Sequence, residues 1–379
     1  MINEAIIKKY FRLSLIAAAL AVSCSNNENN HLQEKGVDNN SVVSRAGRFS
    51  LEKTDSCTLL IITDPWQGAK DIKQVYYLVD RKKKLIEPAD PDSIIYVPVE
   101  KMICMSTTHV AMVSALGHID AIVGVSGAGY TFNGTVQDVG YEAGMNNELI
   151  LSLSPDLIMM YGIGSESAGY LAKVQELGIK VMFNADYLEN DPLAKAEWIK
   201  LFGALFCEEE KADSLFRTIS MSYDQIKSYV EKNTDEKPDV LLGLPFRDTW
   251  FISPGDSYAA RFIADAGGNY LWHDTKSSVS MPYSIEDVFI RSLKADFWIN
   301  TGSAVSKKEI TSLDPRLEKI PAFQTGNLYN NNKRVSPSGG NDYWESGILQ
   351  PHLILRDIAA ILHPGLFPGY ELYYYRKLD

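Results

Sequence analysis

Cys24 sits in the most chemically specific context of the chain. It closes the run Leu20-Ala21-Val22-Ser23-Cys24, in which small residues lead into a cysteine whose sulfur can accept a diacyl lipid through a thioether. Ahead of it, Lys8, Lys9 and Arg12 make a positive flank and Leu13 to Val22 an apolar run, the order of parts in an export signal. Ala21 stands where lipoprotein signals more often carry Leu, and an ordinary cleaved signal with an incidental Cys24 is the plainer alternative. The apolar run is shorter than the about 20 residues that span a bilayer. A two-chain lipid on Cys24 would hold the protein durably, each buried methylene contributing about 0.8 kcal/mol.

Elsewhere the reactive residue types are dispersed. The histidines, His31, His109, His118, His273, His352 and His363, form no pair with zinc-site spacing. No Gly-x-Ser-x-Gly elbow or phosphate loop occurs. Neither catalysis nor a resident metal is expected. Cys57, Cys104 and Cys207 are odd in number and widely spaced, which suits buried or spare thiols better than a disulfide framework. Ser106, Thr107 and Thr108 either present hydroxyls and helix-start amides to a ligand or cap the helix that follows.

The body that must carry these residues is large. Its 379 residues are 45% hydrophobic and 22% charged, the composition of a soluble globular chain with an ample core, and the length suggests two lobes. The net charge of −11 becomes −13 without residues 1–23, where Lys8, Lys9 and Arg12 oppose Glu4. Nucleic acid is therefore not an expected partner. After Cys24, stretches such as Ser25 to Asn30 are too polar to bury themselves and read as a tether.

Turn and periodicity signals then place the elements. Thr58 to Thr63 and Val75 to Asp80 read as a two-stranded addition around the turn Asp64-Pro65-Trp66-Gln67-Gly68. From Ile94 the chain alternates: extended over Lys101 to Met105, helical over Thr107 to Leu116, extended over Ile119 to Val123. The pattern repeats with a helix over Glu148 to Leu153, a strand over Leu157 to Tyr161, a helix over Ala168 to Leu177 and a strand over Lys180 to Phe183. Such alternation predicts a parallel sheet covered by helices on both faces. Leu193 to Leu205 and Glu208 to Glu231 break it with helical periodicity, and Ile219, Tyr223, Ile226 and Tyr229 form one stripe. A second α/β series follows through Val240 to Leu244, Tyr258 to Ala266, Ile285 to Leu293, Phe297 to Thr301 and a terminal helix near Gln350 to Leu362.

Several segments, in order, carry a resemblance. They are Met105-Ser106-Thr107-Thr108-His109 with Ala115-Leu116-Gly117 and Ile122-Val123-Gly124-Val125, the stretch from Asn147 through Ser154-Pro155-Asp156 to Ile158, and Leu177-Gly178-Ile179-Lys180-Val181. Ala264-Asp265-Ala266-Gly267-Gly268-Asn269, Ser284-Ile285-Glu286-Asp287-Val288 and Leu362-His363-Pro364-Gly365-Leu366-Phe367-Pro368 complete the series. Over residues 95 to 368 the chain resembles the solute-binding proteins for iron complexes and cobalamin that serve ATP-driven importers. The resemblance implies two Rossmann-like α/β lobes with parallel-rich sheets, one rigid interlobe helix and a ligand held between the lobes. The expected layout is a signal over 1–23, a tether over 24–50 and a β extension over 51–94. An N-terminal lobe over 95–205, an interlobe helix over 206–233 and a C-terminal lobe over 234–379 follow.

Within that layout, aromatic residues where strands should end at the cleft are the ligand candidates: Tyr130, Tyr161, Trp250, Tyr343 and Trp344. Broad planar ligands such as corrins, porphyrins and catechol chelates suit aromatic walls, so, with the resemblance, an iron complex (siderophore or haem) or cobalamin is the expected cargo. Arg247 could pair an anionic chelate, Ser106 joins the set, and His109 with Tyr161 are axial-ligand candidates should the cargo be haem. By the resemblance, Glu148 and Glu286 sit on exposed lobe tips that face an importer's membrane subunits; the alternative is two first-turn acids favoured by their helix dipoles. The expected protein is a monomer on the periplasmic face of a membrane, with no cofactor of its own. A surface lipoprotein handing the same cargo to an outer-membrane receptor is the alternative.

Overall fold

The computed structural model describes residues 43–83, 90–128, 136–141, 144–162, 174 and 176–379. Cys24, the tether up to residue 42, Tyr130 and most of the helix expected over Ala168 to Leu177 lie outside them. The described residues all fall in the unit spanning 40–379.

The N-terminal addition has four strands where two were expected: β1 (Phe49–Lys53), β2 (Thr58–Thr63), β3 (Lys73–Asp80) and β4 (Ile94–Val97), side by side in that order. The first three pair antiparallel and β4 runs parallel to β3. Phe49 and Leu51 alternate into the core while Glu52 and Lys53 stay exposed, the period-2 pattern of a half-buried strand. Tertiary contact begins earlier than the residue-50 boundary. The backbone N–H groups of Ser44, Arg45 and Ala46 donate to the carboxylate of Glu197 at 2.9, 2.6 and 2.7 Å, and those of Gly47 and Arg48 donate to Glu189 at 3.1 and 3.2 Å. Packed contacts therefore begin at Ser44, inside the 24–50 stretch expected as a tether.

In the N-terminal lobe, β5 (Met102–Cys104), β6 (Ile122–Val125), β7 (Gln137–Asp138), β8 (Leu157–Met160) and β9 (Val181–Phe183) form a parallel sheet in the order β7-β6-β5-β8-β9. β5, β8 and β9 are buried throughout, as strands covered on both faces must be. Helices α1 (Thr107–Ala115) and α2 (Asn147–Leu153) connect them. Then come α3 (Pro192–Glu197), α4 (Ile199–Phe206) and the 25-residue α5 (Glu209–Asn233). A Cβ on Gly203 of α4 would lie 2.6 Å from the Ala212 Cβ, so this glycine sets how closely α4 and α5 pack. The buried stripe of α5 is Ala212, Phe216, Ile219, Tyr223 and Val230. Tyr229, expected in the stripe, is 45% exposed and donates its hydroxyl to the Leu366 carbonyl at 3.3 Å.

The C-terminal lobe holds β10 (Asp239–Leu242), β11 (Thr249–Ile252), β12 (Asn269–Tyr270), β13 (Met281–Ser284), β14 (Phe297–Ile299), β15 (Leu328–Asn330) and β16 (Arg376–Lys377). The main sheet runs β12-β10-β14-β15-β16, parallel except for β16, and β11 with β13 makes a separate antiparallel pair. Helices α6 (Tyr258–Asp265), α7 (Ile285–Ser292), α8 (Lys307–Leu313), α9 (Pro321–Thr325) and α10 (Pro351–Leu362) pack around it. Gly267, at φ +78°, ends the α6 turn where a Cβ would meet Val230 of α5 at 2.9 Å, and a Cβ on Gly268 would meet Leu362 of α10 at 2.7 Å. The glycine pair is thus required by close approach of three helices.

Candidate functional site

The N-lobe sheet order reverses between β5 and β8, so the connections beyond their carboxyl ends diverge and leave a crevice. Ser106 follows β5 and Tyr161 follows β8. Across from them stand Tyr258 and Phe262 of α6 and the segment Tyr343 to Ile354, with Pro192 and Lys195 of α3 between the two walls. These residues, with Thr108, Asp186 and Tyr187, enclose a cavity of about 290 Å³ between the lobes. The Thr107 hydroxyl donates to the Trp344 carbonyl at 3.2 Å, a direct bond across the cleft.

Each wall is held from behind. The Ser106 hydroxyl accepts from the Thr108 N–H at 3.3 Å, capping α1. Tyr343 is buried, and its ring meets Trp344, Tyr374 and Tyr375 edge-on at 4.7, 5.8 and 6.0 Å. Tyr374 and Tyr375 are anchored through Asp357 of α10, whose carboxylate accepts the backbone N–H groups of Tyr373, Tyr374 and Tyr375 and the Tyr370 hydroxyl. Trp344 is 52% exposed and presents its indole at the cleft.

Two ionisable groups lie in this aromatic surround. Burial pushes the Asp186 carboxyl up, against Lys195, Thr108 and Asn184, which favour its charged form. Burial pulls the Lys195 ammonium down, opposed by Asp186 and Glu189. Its Nζ lies 4.6 Å over the Tyr258 ring, a cation–π contact. Burial also raises the Tyr258 and Tyr343 phenols well above their ordinary value. The site therefore offers broad aromatic faces with one ammonium and one carboxyl, and among the described residues no group of His, Cys, Asp and Glu side chains could hold a metal ion. A more open cavity of about 500 Å³ near Arg45 and Arg261 is less suited to a ligand, because Arg45 faces Asp224 at 3.1 Å and Arg261 faces Asp191 at 3.6 Å.

The structure brings Ser106, Tyr161, Tyr343 and Trp344 to the cavity and moves other candidates away. Trp250 is fully buried, donates its indole N–H to the Leu242 carbonyl at 3.2 Å and stacks on Trp298 at 5.8 Å. The reason is the β11 alternation: Trp250 and Ile252 point inward while Phe251 is exposed. Arg247 sits at φ +55° on the turn closed by the Phe246–Thr249 bridge, exposed and 5.3 Å over the Phe246 ring, away from the cleft. His109 faces the core of α1 against Phe202 and is fully buried, so it cannot reach a ligand. Tyr130 lies outside the described residues. Asp186, Tyr187, Lys195, Tyr258 and Phe262 were not anticipated. Only the Ser257 cap ahead of Tyr258 marked where such a residue would start a helix.

Glu148 is exposed in the first turn of α2, whose N-terminus Asn146 caps. Glu286, in the first turn of α7, is also exposed but is paired with Arg316 at 2.9 Å, and Arg316 holds Asp314 at 2.6 Å. Among the described residues, then, an ion pair is seen for the C-lobe acid and not for Glu148.

Comparison with known proteins places this architecture. Residues 102–335 match the family model described as periplasmic binding protein. The chain is 26% identical over 349 residues to an uncharacterized lipoprotein of Methanocaldococcus jannaschii, covering 84% of this chain and 81% of that protein. It is 28% identical over 254 residues to a second uncharacterized lipoprotein of that organism, covering 65% of this chain and 62% of that protein. Among solved structures, a periplasmic haem-binding protein from Pseudomonas aeruginosa aligns over 74% of this chain and 98% of its own, with TM-score 0.58 and 17% identity. A periplasmic vitamin B12-binding protein of Vibrio cholerae aligns over 71% and 99%, with TM-score 0.51 and 16% identity. With the family model covering most of the chain and both lobes in the matching fold, this chain belongs to the periplasmic binding protein family.

Proposed function

We propose that this protein captures an iron complex (a siderophore chelate or haem) or cobalamin in the interlobe cavity, and delivers it to an ATP-driven importer while tethered to the membrane by a lipid on Cys24. The observation that carries the reading is the aromatic cavity itself, with Tyr161, Tyr187, Tyr258, Tyr343 and Trp344 on its walls. Flat conjugated ligands gain most from such surfaces. Its volume of about 290 Å³ lies at the small end for small-molecule sites, which run to about 1,000 Å³, and favours a compact chelate, or one face of a larger one, over an enclosed corrin. Structural relatives known as a haem-binding protein, a vitamin B12-binding protein and an Fe3+-hydroxamate transport system support the cargo class. Relatives named as lipoproteins support the anchor, and no described helix is long and apolar enough to cross a membrane.

Titration of the purified protein with haemin, cyanocobalamin and ferrioxamine B, followed by tryptophan fluorescence, tests the cargo. At least one should quench; silence with all three overturns the reading. Cys24→Ala should release the protein from the membrane fraction. Loss of the wild-type protein on protease treatment of intact cells would place it on the outer surface and sink delivery to an importer. Rim charges mainly set orientation and association rate, so Glu148→Ala with Glu286→Ala should spare ligand affinity and reduce uptake.

A further inference from the structure

The four-stranded N-terminal sheet precedes the residues that match the family, yet it reaches the cleft. On its flank, the Tyr76 hydroxyl of β3 donates to the Val181 carbonyl of β9 at 3.0 Å, and the Trp66 ring packs 5.3 Å from Phe183. At the tip of the β2–β3 connection, the Gln67 N–H is shared between the Tyr187 hydroxyl oxygen and the Gly162 carbonyl, both at 3.0 Å. The Tyr187 hydroxyl donates in turn to that same Gly162 carbonyl. Tyr187 meets Tyr161 edge-on at 6.4 Å, and both rings line the cavity.

The connection is braced well enough to act as a fixture. The Ala69 N–H donates to the Trp66 carbonyl at 3.1 Å around Gly68 at φ +86°, the hydrogen bond and left-handed third residue of a type II turn. The Ile72 N–H donates to the Asp64 carboxylate at 3.1 Å, and Arg48 donates to the Asp64 carbonyl at 3.1 Å. A phenol hydroxyl bonded on two sides has its ring orientation set before any ligand arrives, which removes the cost of ordering that ring from binding.

We propose that Gln67 is a positioning residue of the ligand site: through its backbone N–H, the N-terminal sheet fixes Tyr187 and, through it, Tyr161 against the cleft. The sheet is then a working part of the binding site. This rests on reading the interlobe cavity as the ligand site.

A backbone donor is removed only by proline, and the second position of a type II turn accepts proline. The full chain in detergent, labelled with ¹³C-tyrosine, is compared as wild type, Gln67→Pro, Tyr187→Phe and the exposed-site control Lys70→Ala, and each is titrated with haemin, cyanocobalamin and ferrioxamine B in turn. Gln67→Pro should shift or broaden the Tyr187 and Tyr161 resonances, keep Tm within about 4 °C, and weaken whichever titrant binds by about fivefold, the scale of one hydrogen bond. Tyr187→Phe should reproduce the Tyr161 change and the weakened binding, and decides the matter if Gln67→Pro does not fold. Unchanged tyrosine resonances, unchanged affinity where binding is seen, or the same effects in Lys70→Ala overturn the proposal. If none of the titrants binds the wild type, the cargo reading fails alone, and the tyrosine resonances still decide whether the turn positions the pair.

Discussion

Trp344 and Trp250 carry the same indole and meet opposite consequences on substitution. Trp344 is 52% exposed at the cavity rim, so Trp344→Ala should leave stability within about 0.5 kcal/mol while weakening a flat ligand by roughly 1 to 3 kcal/mol. Trp250 is wholly enclosed beside Trp298, and Trp250→Ala should cost about 3 to 5 kcal/mol in urea denaturation, the range for emptying a large buried site. His109 gives a pH signature at the same scale. Burial lowers its pKa to about 3, with the Met159 carbonyl opposing, and neither ring nitrogen finds a partner in good hydrogen-bond geometry among the described residues. The unfolded chain binds this proton near pH 6.5 and the folded chain does not, so the neutral ring's stability is full above that pH and is lost on acidification toward pH 3. Between pH 6.5 and pH 5 the loss is about 1.6 kcal/mol. His109→Phe should flatten that part of the stability profile, and an unchanged acid limb would refute the assignment.

Elements are joined here by buried acids that collect backbone donors. Glu197 of α3 accepts from Ser44, Arg45 and Ala46 and pairs with Lys200 at 3.0 Å. Those hydrogen bonds hold its carboxyl below the ordinary range although burial alone would raise it. The segment so held packs behind α3, the helix that places Lys195 in the cavity. Glu197→Ala would remove the shared acceptor of three N–H groups and leave Lys200 with Asp213 at 3.5 Å, and should destabilise by roughly 3 to 5 kcal/mol, with new protease cleavage near residue 45. Asp357 does the same for the C-terminal tyrosines. Asp357→Asn turns two acceptor sites into donors facing donors, and should lower stability and, by loosening Tyr374 and Tyr375 behind Tyr343, weaken ligand binding.

For the whole molecule, α5 is fastened at both ends. Near its start Lys211 donates to the Leu116 carbonyl of the N-terminal lobe at 2.7 Å. Further along, the Tyr223 hydroxyl donates to Asp265 of the C-terminal lobe at 2.9 Å and Lys227 pairs with the same residue at 3.0 Å. A single packed helix tied in this way resists bending, and the Thr107 to Trp344 bond already spans the cleft. Ligand binding should therefore change the radius of gyration in solution scattering by less than about 1 Å. A closure of several ångströms would show that the lobes are hinged.

The sequence by itself determined the alternation of strands and helices and the long helix between two α/β series, because hydrophobic period and turn chemistry are local properties. It did not mark β1, β11, β13, β15, β16, α8 or α9, and the strand read over Ile119 to Val123 begins only at Ile122. Thr58 to Thr63 forms β2 as read, and Ser106 and Gly117 bracket α1. It also marked Tyr161, Tyr343 and Trp344, which follow strands or glycine-rich loops that open on the cavity. Tertiary structure alone decided the rest. Whether a tryptophan after a strand faces ligand or core depends on the register of its own strand, which β11 settles only by pairing with β13. The Lys195 and Asp186 pair, and the meeting of Gln67 with Tyr187 across 120 residues, arise because folding brings distant segments to one cleft. Local periodicity carries no record of such meetings.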